Sequence, residues 1–110
     1  MENKIKAIKI DVVNREVYEI EIENNLKGYY NALECSIIER VQINRKHDLI
    51  IDEEGWLSEP VGVFRLGRQF YAGHGLIVGH DGNGNWISHS LDVWTVEMLI
   101  MFMTKQKTEG

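Results

Sequence analysis

Hydrophobic and polar positions change rhythm several times along the chain. From Lys4 to Val13, Ile8, Ile10 and Val12 alternate with Lys9 and Asp11, the two-residue period of a half-buried strand. After a turn at "VNRE", Val17 to Glu23 sets Tyr18, Ile20 and Ile22 on one face and Glu19, Glu21 and Glu23 on the other, so the two segments predict a hairpin with one wet face. The period lengthens in "NNLKGYYNALE", where Leu26, Tyr29, Tyr30 and Leu33 follow helical spacing behind Asn25 as N-cap; Gly28 weakens this short helix. Alternation returns over Ile37 to Ile43. It is followed by "NRKH", by the apolar run in Asp48 to Asp52 and by a glycine-ended turn at "DEEG", which together predict a second hairpin.

The pattern breaks at "SEPVG". The next predicted strand is "GLIVG", Gly75 to Gly79, a continuous apolar run of the length of a buried central strand. "HDGNGN" is a turn and "WIS" a short strand. From Asp92 to about Met103, Val93, Val96, Leu99, Ile100 and Met103 form one stripe and Trp94, Met98, Met101 and Phe102 another. A helix apolar nearly all round needs cover nearly all round, so Trp94, Met98, Met101 and Phe102 are expected at a homo-oligomer interface; the rival arrangement leaves Met98 and Met101 on a wet face. The fold expected is α+β: a mainly antiparallel sheet of about five or six strands, a short central helix and an apolar C-terminal helix, with the helices on one face. Residues 1–104 make a single globular domain and 105–110 a polar, frayed tail.

Composition narrows the partners. Twelve basic against 17 acidic side chains leave a net charge of −5 with no long basic block, which argues against duplex nucleic acid. The single cysteine, Cys35, allows no internal disulfide and no zinc framework. No run approaches the roughly 20 apolar residues that span a bilayer, and "MENKIKAIKID" lacks a signal-peptide core, so a cytoplasmic setting away from membranes is expected.

Candidate chemistry is sparse. "GHGLIVG" is one residue too long for the dinucleotide fingerprint, and no G-x-x-x-x-G-K-S/T occurs; strand ends and a tight turn account for most of the glycines. The histidine spacings match no metal motif, Cys35 sits in an amphipathic context suited to an inert thiol, and there is no G-x-S-x-G elbow. No catalytic set, cofactor or metal site is expected. What remains is a binding constellation: Arg65, Arg68, Phe70, Tyr71 and His74, then Asn83, Asn85 and Trp86. Guanidinium forks hold phosphate, aromatic faces stack bases and asparagine amides read polar edges. The plainer account makes Phe70 and Tyr71 core, leaves the arginines solvated and lets Trp86 cap a sheet.

Three stretches, "IKAIKIDVVNREVYEIEIENNLKGYYNALEC", "DLIIDEEGWLSEP" and "YAGHGLIVGHDGNGNWISHSLDVWTVEMLIMFM", resemble the short proteins grouped as domain of unknown function 3846, found in phages and mobile elements. In size, class and pocket chemistry the chain is also similar to the Thoeris anti-defence sponges, which trap cyclic ADP-ribose-type signals in pockets made by oligomerisation. The resemblance implies a phage accessory protein acting against host defence. Joined to the binding constellation, it yields the leading expectation: a non-enzymatic protein that binds and sequesters a small anionic ligand, a cyclic nucleotide or ADP-ribose derivative. Arg65 and Arg68 would hold the phosphates, Phe70, Tyr71 or Trp86 would stack the base, and Asn83 and Asn85 would orient it. One alternative, motivated by the Met-rich terminal helix, is an inhibitor that binds a host defence protein through an apolar and acidic surface. Another is a small hydrolase acting through His80 or His89.

Overall fold

The computed structural model describes residues 3–57 and 59–103; the tail expected over 105–110 lies outside them. The elements are β1 (Lys4–Asp11), β2 (Glu16–Glu23), α1 (Leu26–Leu33), β3 (Ile38–Gln42), β4 (His47–Asp52), β5 (Val63–Leu66), β6 (Gln69–Ala72), β7 (Gly75–His80), β8 (Trp86–Ile87), α2 (Val93–Leu99) and β9 (Ile100–Phe102). Six strands form one sheet in the order β2-β1-β7-β4-β3, with β8 also pairing β7; β6-β5-β9 form a second. Every pairing is antiparallel. The fold is α+β, built mainly on an antiparallel sheet as the hydrophobic rhythm predicts.

The "GLIVG" run lies between β1 and β4 because both of its faces are covered. Leu76 and Val78 join Ile5, Ala7, Ile22 and Ile50 on the face where α1 lays down Tyr29 and Leu33. Ile77 joins Ile8, Ile10, Leu49 and Ile51 on the opposite face, where Phe64 of β5 and Val96 of α2 close the core. The two helices therefore flank the large sheet on opposite faces, not on one. The result is three layers: α1, the six-stranded sheet, then the small sheet with α2.

The small sheet departs most from the sequence expectation. Its strands are four residues or fewer, joined at β5–β6 by a two-residue turn in which Gly67 takes φ +65°, the conformation such turns demand and glycine supplies without strain. The C-terminal helix expected to run to about Met103 ends at Leu99. Ile100 is extended (φ −96°, ψ 133°), and Ile100 to Phe102 pair with β5 in the register Leu66↔Ile100, Arg65↔Met101, Phe64↔Phe102. The apolar residues of "LIMFM" thus end on a two-residue period, with Ile100 and Phe102 turned inward and Met101 and Met103 outward. Helical spacing and strand alternation overlap over so short a run, and the vacant edge of β5 decides between them.

Asn25 caps α1 by accepting the Gly28 N–H through Oδ1 at 2.8 Å. Propensity alone counts Gly28 as a weak point, yet a Cβ there would collide with the backbone carbonyl of Glu23. Gly28→Ala, worth up to about 1 kcal/mol of stabilisation on propensity alone, is therefore expected to destabilise by about 1–3 kcal/mol through overpacking. Urea denaturation reads the sign directly, and a stabilised variant would show that α1 does not sit this close to β2.

Candidate functional site

The residues singled out by the sequence fall in three separate places. On the outer face of the small sheet, Arg65 and Phe70 stand opposite one another across β5 and β6 and both are exposed; the Arg65 Nε donates to the Gly67 carbonyl at 2.8 Å. Arg68 is exposed in the turn between these strands. Tyr71 points the other way, into the core, with its ring 5.3 Å from that of Phe64. Burial first, then the negative field of Glu39, pushes its phenol upward.

Asn83 and Asn85 wrap the Asp81 carboxylate, which accepts from the Asn83 N–H (2.7 Å), the Asn85 N–H (3.2 Å) and the Asn85 Nδ2 (2.9 Å). The Asn85 side chain, then the Asn83 N–H, hold that carboxyl below its ordinary value. This is the chemistry of a self-satisfied turn. Trp86 lies on the α1 side of the large sheet. Its ring packs nearly perpendicular to that of Tyr29, centroids 4.8 Å apart, and its Nε1 donates to the buried Asp48 at 3.0 Å. Within one chain, then, Trp86 and Arg65 lie on opposite sides of the large sheet.

His74 is buried and clamped. Its Nδ1 accepts the Val12 N–H at 3.2 Å, so Nε2 carries the proton and faces the Glu34 carboxylate at 3.1 Å, while Asp11 lies 3.7 Å away. Glu34 reaches it from the left-handed C-cap position of α1 (φ 56°). The ring lines a cavity of about 250 Å³ with carboxylates from Glu34, Asp52, Glu54 and Glu59 in its wall. Four acidic residues in that wall disfavour phosphate.

Of the other histidines, His47 and His89 are similarly engaged and His80 is not. The His47 Nε2 accepts the Ser90 N–H at 3.2 Å, and burial, then the nearby His89 and His80, hold this ring below its ordinary value. The His89 Nδ1 accepts the Leu91 N–H at 3.1 Å and its Nε2 faces Glu19 at 2.7 Å. The His80 Nε2 is buried without a hydrogen bond, 3.8 Å from Asp48. Neither His80 nor His89 lines any of the cavities described here.

A cleft of about 500 Å³ lies between the β3–β4 turn, the β5–β6 turn and α2. Ile77, Val96, Leu66, Val41 and Leu91 make its apolar wall, and Gln42, Asn44, Gln69 and Thr95 also line it; the Gln42 Nε2 donates to the Asn44 carbonyl at 3.2 Å, the Asn44 Oδ1 accepts the Lys46 N–H at 2.8 Å, and the Thr95 hydroxyl donates to Asp92 at 3.3 Å. Tyr71 is the one residue of the expected ligand set that lines this cleft. Arg68 lies between two lining residues, Gly67 and Gln69, and Arg45 follows a third, Asn44; both arginines are exposed and neither has an ion-pair partner among the described residues. No motif in the sequence marks Gln42, Asn44 or Gln69. The cleft exists because the β5–β6 hairpin folds back over the large sheet, and the pattern of apolar positions does not reveal that hairpin.

Among the described residues no helix is long and apolar enough to cross a membrane. No curated protein and no solved structure matches the chain. A family model described as a domain of unknown function, DUF3846, matches residues 5–100, nearly the whole length of the chain, and carries no assigned activity. The three-layer domain with its inter-sheet cleft therefore belongs to the DUF3846 family.

Proposed function

We propose that this domain is a non-enzymatic binding protein that takes a small nucleotide-type ligand into the cleft between its sheets and holds it. The observation that carries this reading is the cleft itself: about 500 Å³, apolar-walled, with Gln42, Asn44, Gln69 and Thr95 among its lining residues. Ligand sites commonly have this size and this balance of apolar wall to oriented polar groups. Ile77, Val96 and Tyr71 bury a planar ring, the amides of Gln42, Asn44 and Gln69 meet its polar edge, and the turns bearing Arg45 and Arg68 suit an anionic tail at the mouth. The role attached to such binding is sequestration, as in a counter-defence protein that withdraws a nucleotide immune signal. The expected set is thereby redrawn: Tyr71 and Arg68 are retained, and Gln42, Asn44 and Gln69 are added.

A nucleotide panel tests the reading by thermal denaturation. At a ligand concentration of ~100 Kd, binding to the folded state adds about 2.7 kcal/mol, a rise on the order of 10 °C for a domain of this size. Gln69→Trp, at an exposed β6 position on the mouth, should abolish the shift while leaving the free protein's melting unchanged, and mass spectrometry should recover the ligand intact. A panel that leaves the melting temperature where it was removes the proposal, and turnover of the ligand replaces it with an enzymatic one.

A further inference from the structure

We propose that the outer edge of β9 is a self-association edge, where two copies of this chain pair antiparallel about a two-fold axis centred on Phe102. The backbone sets the geometry. The Met103 N–H donates to the Val63 carbonyl at 2.9 Å, and the register places Met101 opposite Arg65 and Phe102 opposite Phe64. In an antiparallel strand the N–H and C=O of alternate residues point to the same side. Met101 and Met103 therefore address β5, and Phe102 turns its N–H and C=O toward the open edge. Among the described residues no strand lies on that edge, and no backbone partner meets these two groups.

The outer strands β2, β3 and β6 are guarded. β2 exposes Glu16, Glu19, Glu21 and Glu23, and β3 exposes Glu39 and Arg40. β6 is approached at its Ala72 carbonyl by the turn at Gly55. Edge strands are normally protected by charge, brevity or cover. β9 is short, but it carries no charge and has no strand beside its outer edge among the described residues, and Met101 within it and Met103 just after it are 53% and 41% exposed.

A second copy fits this edge because the exposed residues of β9 are complementary to themselves about a two-fold axis. With Phe102 on the axis, each Phe102 N–H donates to the carbonyl of its counterpart, satisfying both orphan groups. The same register sets Met101 against the partner's Met103, and Met103 against the partner's Met101, so that four exposed methionines cover one another. A two-fold contact of this kind closes on itself and stops at a dimer. The two small sheets become one continuous six-stranded sheet. None of this depends on whether the cleft holds a ligand.

Light scattering on the full chain across a dilution series is expected to show twice the chain mass at the concentrated end. Met101→Lys combined with Met103→Lys places like charges opposite one another at exposed positions. This variant is expected to be monomeric with an unchanged circular dichroism spectrum, and so is the pair Met101→Glu with Met103→Glu. Mixing the lysine and glutamate variants should restore a one-to-one dimer, which mere damage to the fold would not do. A wild-type chain that stays monomeric throughout overturns the proposal; so does a lysine variant that dimerises like wild type, or a mixture that remains monomeric.

Discussion

Truncating Phe64 to alanine is expected to cost about 3–5 kcal/mol, against a total stability of roughly 5–15 kcal/mol for a typical domain. The ring is fully buried and is the principal side chain that β5 sends into the large sheet's core. It seats there because the central strand opens with a glycine: a Cβ at Gly75 would lie 2.8 Å from the Phe64 Cζ. Gly75→Ala should therefore displace the ring and destabilise by about 1–3 kcal/mol. In Phe64→Leu the branched side chain no longer reaches that point. The double variant should accordingly lose less than the sum of the single losses, with a coupling of about 0.5–3 kcal/mol. Urea denaturation of the four proteins measures the cycle, and strict additivity would mean that Phe64 does not rest on Gly75.

Asp11 carries the second large effect. Its carboxylate, buried at the end of β1, accepts from the Val13 N–H (3.0 Å), the Asn14 N–H (3.0 Å), the Asn14 Nδ2 (2.9 Å) and the Tyr18 hydroxyl (3.0 Å), closing the β1–β2 turn. Burial alone would push this carboxyl up, but the Asn14 N–H, the Asn14 amide and the Tyr18 hydroxyl outweigh it and bring the group down from 3.8 to about 2. The folded state therefore favours the ionised form. Its contribution, about 2 kcal/mol, is present above pH 3.8 and is lost as the pH falls from there toward 2. Asp11→Ala removes that contribution at neutral pH and leaves the turn's donors short of an acceptor, for a loss of about 2–3 kcal/mol. The variant should also lack the part of the acid-unfolding slope between pH 3.8 and 2 that the wild type shows. An unchanged slope would assign the wild type's acid sensitivity to other groups.

Much of the large sheet was legible before any coordinates. Alternation over Lys4 to Val13 and Val17 to Glu23 places the first hairpin. The unbroken run "GLIVG" marks the central strand, because a strand buried on both faces has no wet positions to alternate with. Asn25 was recognisable as an N-cap because capping is a local chemistry. The small sheet was not legible. "VFRL" and "QFYA" are too short to establish a period, and "IMF" is as compatible with the end of a helix as with a strand. The same shortness hid the cleft, since Gln42, Asn44 and Gln69 are far apart in the chain and carry no motif. The expected ligand set clustered in sequence, but alternation along β5 and β6 sends Arg65 and Phe70 outward and Tyr71 inward. Trp86 follows the β7–β8 turn to the far side of the large sheet.

By itself, the sequence determined what depends on neighbours in the chain: the hairpins of the large sheet, the Asn25 cap, the buried run and the α+β class. Only the tertiary structure decided what depends on which surfaces meet. It put α1 and α2 on opposite faces, ended the last helix at Leu99 because β5 had an edge to fill, and required glycine at positions 28 and 75 because backbone or ring approaches there from elsewhere in the chain. Local periodicity reports how a segment would like to be wetted. It does not report which distant segment will dry it.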